Sequence, residues 1–168
     1  MTEGDRFELA QINVARLLQP LDHPDTAGFV EGLDPINELA DGSPGFVWRL
    51  QTDEGNATSV RAYDDPLMIV NVSVWTSVEA LADFTYRSAH AGILRHRRSW
   101  FEKPAGPILV LWWIPAGHRP PPEEGIARLA HLTAHGPTPT AFTLRERFGA
   151  HETADAEPVV DDRSICPA

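Results

Sequence analysis

The sequence predicts an α+β domain: a ferredoxin-like βαββαβ unit followed by an extra C-terminal helix and strand. Three observations carry this. Four short apolar segments of β character lie at 8–17, 45–50, 67–75 and 106–115. Segments with helical periodicity separate the first from the second and the third from the fourth. The second and third are joined by a stretch containing "TDEGNATS", which has the polarity and glycine of a hairpin turn.

Each element has its own signals. "ELAQINVARL" (8–17) alternates as a first strand. In the helix after it, Asp22 is placed to cap, Pro24 falls in the first turn, and Phe29, Val30, Leu33, Ile36 and Leu39 repeat at helical spacing. Pro35 should kink or divide it. "GFVWRL" (45–50) is the second strand and "LMIVNVSVW" (67–75) the third, the clearest β signal in the chain. Thr76 and Glu79 have capping-box spacing at the start of the second helix, which runs on through "YRSAHAGILRHRRSWF" (86–101). "GPILVLWWIP" is the fourth strand. The helix in "HRPPPEEGIARLAHLTAHG" has prolines at its mouth, acids in its first turn and Gly136 as its stop. "TAFTLRERF" (140–148) reads as a last strand. The expected domain therefore spans 1–149, and 150–168 reads as a disordered acidic tail.

Alternation gives the sheet two unlike faces. Ala10, Ile12 and Val14 share one with Met68, Val70, Val72 and Val74; this all-apolar face is expected under the helices. The opposite face carries Gln11 and Asn13 beside Asn71 and Ser73, with Trp75 at the end of the third strand. Two readings fit it. The amides face water or bond to one another in a core, or they form the polar centre of a cavity walled by Trp75, by Trp48 on the second strand, and by Trp112 or Trp113 on the fourth. Left in water, the Trp75 face would be an apolar patch of the kind that marks an interface, so a homodimer is expected.

The basic segment divides when it is placed at 100° per residue. Tyr86, His90, Ile93, Leu94, Arg97 and Phe101 fall on one side, whereas Arg95 and His96 point away and read as solvated. His90 is either a satisfied core histidine or a base or ligand reaching into the cavity. Arg97, within the same apolar stripe, needs a partner and is expected in an ion pair with one of the many acids.

The totals exclude several classes. The chain has 168 residues and a formal net charge of −10, with Lys103 its one lysine beside thirteen arginines. That length suits one domain, and that charge argues against nucleic acid. The apolar run "ILVLWWIP" is too short to span a bilayer, so no membrane is expected. Cys166 allows no internal disulfide framework and, with no basic or apolar leader in "MTEGDRFELA", suits the cytoplasm. His131 and His135 lie one turn apart but lack the Glu of a zinc-protease HExxH, so they read as residues near a helix C-terminus and no metal site is expected. His118 is a loop residue that could rim the cavity. No dinucleotide, Walker or GxSxG motif is present.

"SVWTSVEALADFTYRSAH" resembles the signature of the antibiotic-biosynthesis monooxygenase-like proteins: a strand ending in Trp75, then a helix carrying Glu79, Ala80, Phe84, Ser88 and His90. Residues 8–148 look more closely like an uncharacterised bacterial family of that superfamily, through "LAQINVARL", "SPGFVWRL", "NVSVW", "LWWIPAGHRP" and "HLTAHGPTPTAF". The resemblance implies a dimeric α+β barrel with a ligand cavity between sheet and helices. It also implies a hydrophobic or aromatic small molecule as ligand. The expected chemistry is proton abstraction by His90, with Asn71 and Asn13 bonding the oxyanion and no cofactor needed for the carbanion to meet O₂. Isomerisation or cyclisation would use the same groups. Gln11, Ser73, Trp75, Tyr86, Trp48, Trp112, Trp113 and Arg97 are the expected substrate-binding set. The alternatives are a binder without turnover, or a haem protein with His90 as axial ligand. In the superfamily's haem degraders a first-strand Asn, a helix Trp and a later His carry the site. Asn13 fits the first position, but Phe84 stands where the Trp should be and His90 comes early.

Overall fold

The computed structural model describes residues 6–154 except 89. Cys166 and the acidic segment from 155 onward lie outside the described residues. Strands β1 (Phe7–Arg16), β2 (Phe46–Arg49), β3 (Met68–Trp75) and β4 (Leu109–Pro115) form one antiparallel sheet in the order β2-β3-β1-β4. That is the βαββαβ arrangement expected from the sequence, with β1 and β3 central. Their register sets Gln11 opposite Ser73 and Asn13 opposite Asn71.

The helices are α1 (Ala27–Asp41), α2 (Val78–Arg87), α3 (His90–Trp100), α4 (Pro122–His135) and α5 (Ala150–Ala154). Several ends differ from expectation. His23, not Asp22, caps the short 3₁₀ turn before α1, accepting from the Asp25 N–H. Pro35 sits inside α1 without dividing it. Ser77, not Thr76, caps α2 by accepting from the Ala80 N–H. Gly136 ends α4 at φ 72°, as its position predicts. The expected strand at 140–148 is reduced to the Leu111–Phe142 and Thr138–Ala141 bridges. Residues 150–154, expected in the tail, are helical.

The segment 78–100 is two helices rather than one. Ser88 adopts extended backbone at the end of α2; its hydroxyl donates to the Phe84 carbonyl and accepts the His90 N–H. A serine side chain that competes for backbone groups in this way ends one helix and starts another. It puts His90 at the first turn of α3.

The all-apolar face is not the one that α1 and α2 cover, contrary to expectation. Ile12, Val72, Val74, Val110 and Trp112 pack beneath Leu129 and Leu132 of α4. Gly125 lets α4 approach closely: a β-carbon there would stand 2.7 Å from Ile12 Cβ. The mixed face lies under α1, α2 and α3, with Leu9, Trp75 and Leu111 against Ala40, Val78, Leu81 and Phe142. α3 itself buries no residue completely. Gly28 and Gly32 of α1 provide its seats, under Trp100 and Ile93 respectively. No helix among the described residues is long and apolar enough to cross a membrane.

Candidate functional site

A cavity of ≈ 420 Å³ lies between the mixed sheet face and α1–α3, within the range of about 300–1,000 Å³ usual for small-molecule sites. Its floor is polar because β1 and β3 bring four polar side chains to one face. Gln11 Nε2 donates to Asn71 Oδ1 at 3.0 Å and to Ser73 Oγ at 2.8 Å. Ser73 Oγ also accepts the Trp75 indole N–H at 2.8 Å. Gln11, Ser73 and Trp75 are therefore satisfied by one another and buried. Asn71 is exposed to the cavity in mid-strand, with its Oδ1 occupied and its Nδ2 hydrogens unpartnered among the described residues. Asn13, directly opposite, has no hydrogen-bond partner for its side chain among the described residues. At the centre of the floor the Gln11–Ser73 network holds Asn71 by its Oδ1, and the Asn13 amide beside it has no partner among the described residues.

One wall is a run of aromatic contacts. Phe46 meets Trp75 edge-on at 5.4 Å, Trp75 stacks on Phe84 at 5.2 Å, and Phe84 lies 5.0 Å from the His90 ring. His90 Nδ1 lies 3.4 Å from the Thr85 carbonyl oxygen. A carbonyl only accepts, so Nδ1 carries the proton and Nε2 keeps its lone pair. Burial pushes the His90 imidazole below the usual histidine range, against the smaller upward pull of the Thr85 carbonyl. The result is a neutral imidazole on the cavity wall, fit to take a proton.

Tyr86 and Leu94 stand at the rim, 60% and 38% exposed. Arg97 lines the cavity with its guanidinium carbon 6.0 Å from the centre of the Phe101 ring. The expected ion pair is absent: among the described residues Arg97 has no acidic partner, and burial lowers its proton affinity. The other lining arginine, Arg49, is held by Asp41 at 2.7 Å and by the Gly55 carbonyl.

Three expected wall residues are elsewhere. Trp112 points to the opposite face, fully buried under α4, where its indole donates to Glu124. Trp113 shares the cavity's side of the sheet but lies under residues 142–148, donating to the Phe148 carbonyl. Trp48 packs into the α4-side core. Alternation on β4 sends neighbouring tryptophans to opposite faces, and the irregular pairing between Phe46 and Trp48 redirects β2. His118 bonds Glu124 at 2.6 Å on the α4 side and does not rim the cavity. His131 and His135 lie together, ring centres 4.6 Å apart, with His131 bonded to the Thr138 hydroxyl. No group of three or more residues that could hold a metal ion occurs among the described residues.

Sequence reasoning missed Asn37, which α1 presents to the cavity with Leu33 and Ala40. The signal existed: an amide interrupts an otherwise apolar stripe at 33, 37 and 40.

Among solved structures, the chain is similar to SnoaB, a cofactor-independent oxygenase from Streptomyces nogalater, at 16% identity and TM-score 0.45, covering 68% of this chain and 97% of that one. It is similar to a protein of unknown function from Nitrosomonas europaea at 11% identity and TM-score 0.44, covering 70% and 98%. A putative antibiotic biosynthesis monooxygenase from Nitrosomonas europaea is similar at 17% identity and TM-score 0.43, covering 72% and 99%. No curated protein matches. The sequence profile of one family matches residues 8–158, nearly the whole of the described structure, and the chain belongs to that family, described as a domain of unknown function (DUF3291).

Proposed function

We propose that this protein is a small-molecule enzyme that oxygenates a hydrophobic, aromatic substrate without a cofactor. The observation that carries the reading is His90, a neutral imidazole with a free Nε2, facing a cavity whose floor offers the amides of Asn13 and Asn71. His90 takes a proton from an acidic C–H flanked by aromatic rings. The amides of Asn13 and Asn71 bond the oxygen onto which the resulting charge delocalises, the kind of directed donation that contributes most in such sites. The carbanion gives one electron to O₂, and recombination forms a C–O bond as a peroxide. Loss of the second hydrogen with cleavage of the O–O bond leaves a carbonyl and one water. The balance is CH₂ + O₂ → C=O + H₂O. Phe46 and Phe84 supply apolar wall for the rings, backed by the buried Trp75.

The test is oxygen uptake with an anthrone such as 1,8-dihydroxyanthrone, followed also by the absorbance of the quinone product. We expect one O₂ consumed per quinone formed, above the rate without protein. Binding of the anthrone with no uptake would replace the oxygenase with a carrier. A Soret band shifted on titration with haem, and lost in His90→Ala, would make His90 an axial ligand instead.

A further inference from the structure

Arg97 lines the cavity, and the reaction above does not use its chemistry. Its surroundings are unusual in an acidic protein. The cavity lining contains no Asp or Glu among the described residues, and the second lining arginine, Arg49, is already neutralised by Asp41. Arg97 is half-buried beside Phe101, and among the described residues no carboxylate receives its fork of donors. A guanidinium partly stripped of water, in a pocket with no opposing charge, favours an anion far more than a solvated arginine does. Part of its desolvation has already occurred on folding, so an arriving carboxylate gains the attraction without that share of the cost.

The position of Arg97 adds a distance. It is seven residues after His90 on α3, so the two share a helix face two turns apart, about 10 Å along the axis. Between them Ile93 and Leu94 present apolar surface to the cavity. The arrangement is a base at one end, an apolar stretch, and a cation at the other.

We infer that the ligand is an aromatic carboxylate whose acid group pairs with Arg97, while the position to be deprotonated lies at the opposite end of its rings, against His90. This rests on the cavity being the ligand site, as proposed above, but not on the reaction performed there.

The experiment is binding, read by titration calorimetry, of three naphthalenes to the full chain. In 6-hydroxy-2-naphthoate the phenol and carboxylate stand at opposite ends of the rings. 6-Hydroxy-2-naphthamide is its neutral counterpart, and 3-hydroxy-2-naphthoate has the two groups side by side. We expect the 6-hydroxy acid to bind about ten- to a hundredfold more tightly than the amide, the size of a hydrogen-bonded charge contact. It should also bind more tightly than the 3-hydroxy isomer. In Arg97→Gln the preference for acid over amide should vanish while amide affinity is unchanged; Arg97→Lys should keep part of it. Equal affinity of the wild-type protein for acid and amide would overturn the anion site and leave the cavity standing, and needs no variant. Persistence of the preference in Arg97→Gln would assign it to another residue. Equal affinity for the two acids would overturn the spacing. Failure of all three to bind would overturn the cavity reading and this inference with it. Acid-selective binding here, together with no oxygen uptake in the anthrone assay above, would sustain the anchor and reject the oxygenase.

Discussion

His90 is unprotonated, and so available as a base, at neutral pH because its surroundings disfavour its charged form. Burial is the larger influence, and the first turn of α3, with its outward N–H groups, is also a poor place for a cation. His90→Ala should therefore cut turnover by about 10²- to 10⁴-fold. The long contact to Thr85 makes the stability loss small, about 1 kcal/mol or less. A variant that melts much earlier yet keeps full specific activity would reduce His90 to a packing residue. The pH dependence has a definite sign. The folded protein holds its His90 proton less tightly than the unfolded chain, so the unfolded state binds more protons on the acid side. The stability that neutral His90 contributes is complete above about pH 6.5 and is lost as pH falls through the lower folded value. Subtracting the urea-unfolding profile of His90→Gln from that of the wild type should isolate this slope. In kcat/KM the same group should give an acid limb with an apparent pKa below about 6.5, absent from the variant.

At the scale of elements, the floor depends on one hydroxyl shared by two donors on neighbouring or identical strands. Ser73 Oγ receives both Gln11 of β1 and Trp75 of β3, all three buried. Ser73→Ala would leave the indole N–H and part of the Gln11 amide without an acceptor. We expect a loss of about 2–3 kcal/mol by chemical denaturation. Freed from its second acceptor, Gln11 would also release Asn71 from one orientation, so ligand affinity should fall beyond what stability explains. A change below about 0.5 kcal/mol would mean that water replaces the hydroxyl. On the other face, Gly125 is set by contact rather than by conformation. Alanine gains about 1 kcal/mol of helix propensity there, but its methyl would meet Cβ, Cγ2 and Cδ1 of Ile12 at 2.7–2.9 Å. The branched Ile12 has no room to turn away, so Gly125→Ala should be net destabilising by about 1–3 kcal/mol. A rise in thermal midpoint would show that α4 shifts freely on the sheet.

For the whole molecule, both sheet faces are covered from within the chain: the mixed face by α1, α2 and α3, and the apolar face by α4. The sequence argument for a homodimer assumed Trp75 to be open to water, and Trp75 is 1% exposed in the single chain. A core complete within one subunit predicts an unfolding midpoint independent of protein concentration between about 1 and 100 μM, because mass action shifts stability only when association contributes to it. A midpoint that climbs across that range would return a second copy to the core. The exposed apolar side chains Leu18, Val30, Leu39, Tyr86 and Leu94 are scattered over β1's end and three helices, as on ordinary surfaces.

Local pattern determined the four strands of the sheet and the polar group on β1 and β3, because alternation assigns each side chain to a face whatever packs upon it. Gln11, Asn13, Asn71 and Ser73 were legible together for that reason, and so was the common side of His90 and Arg97, which survives the break at Ser88 because both lie within α3. Which face each helix would cover was not legible. An apolar face and a face with a polar centre both need burial, and only long-range contacts give α4 to Ile12 and α1–α3 to the amides. The same limit misplaced Trp48, Trp112 and Trp113 on the cavity wall and supplied Arg97 with an acid that is absent beside it among the described residues. Tryptophan and arginine carry strong chemistry but no address. Their partners are set by the close approach of segments dozens of residues apart, which no local spacing encodes.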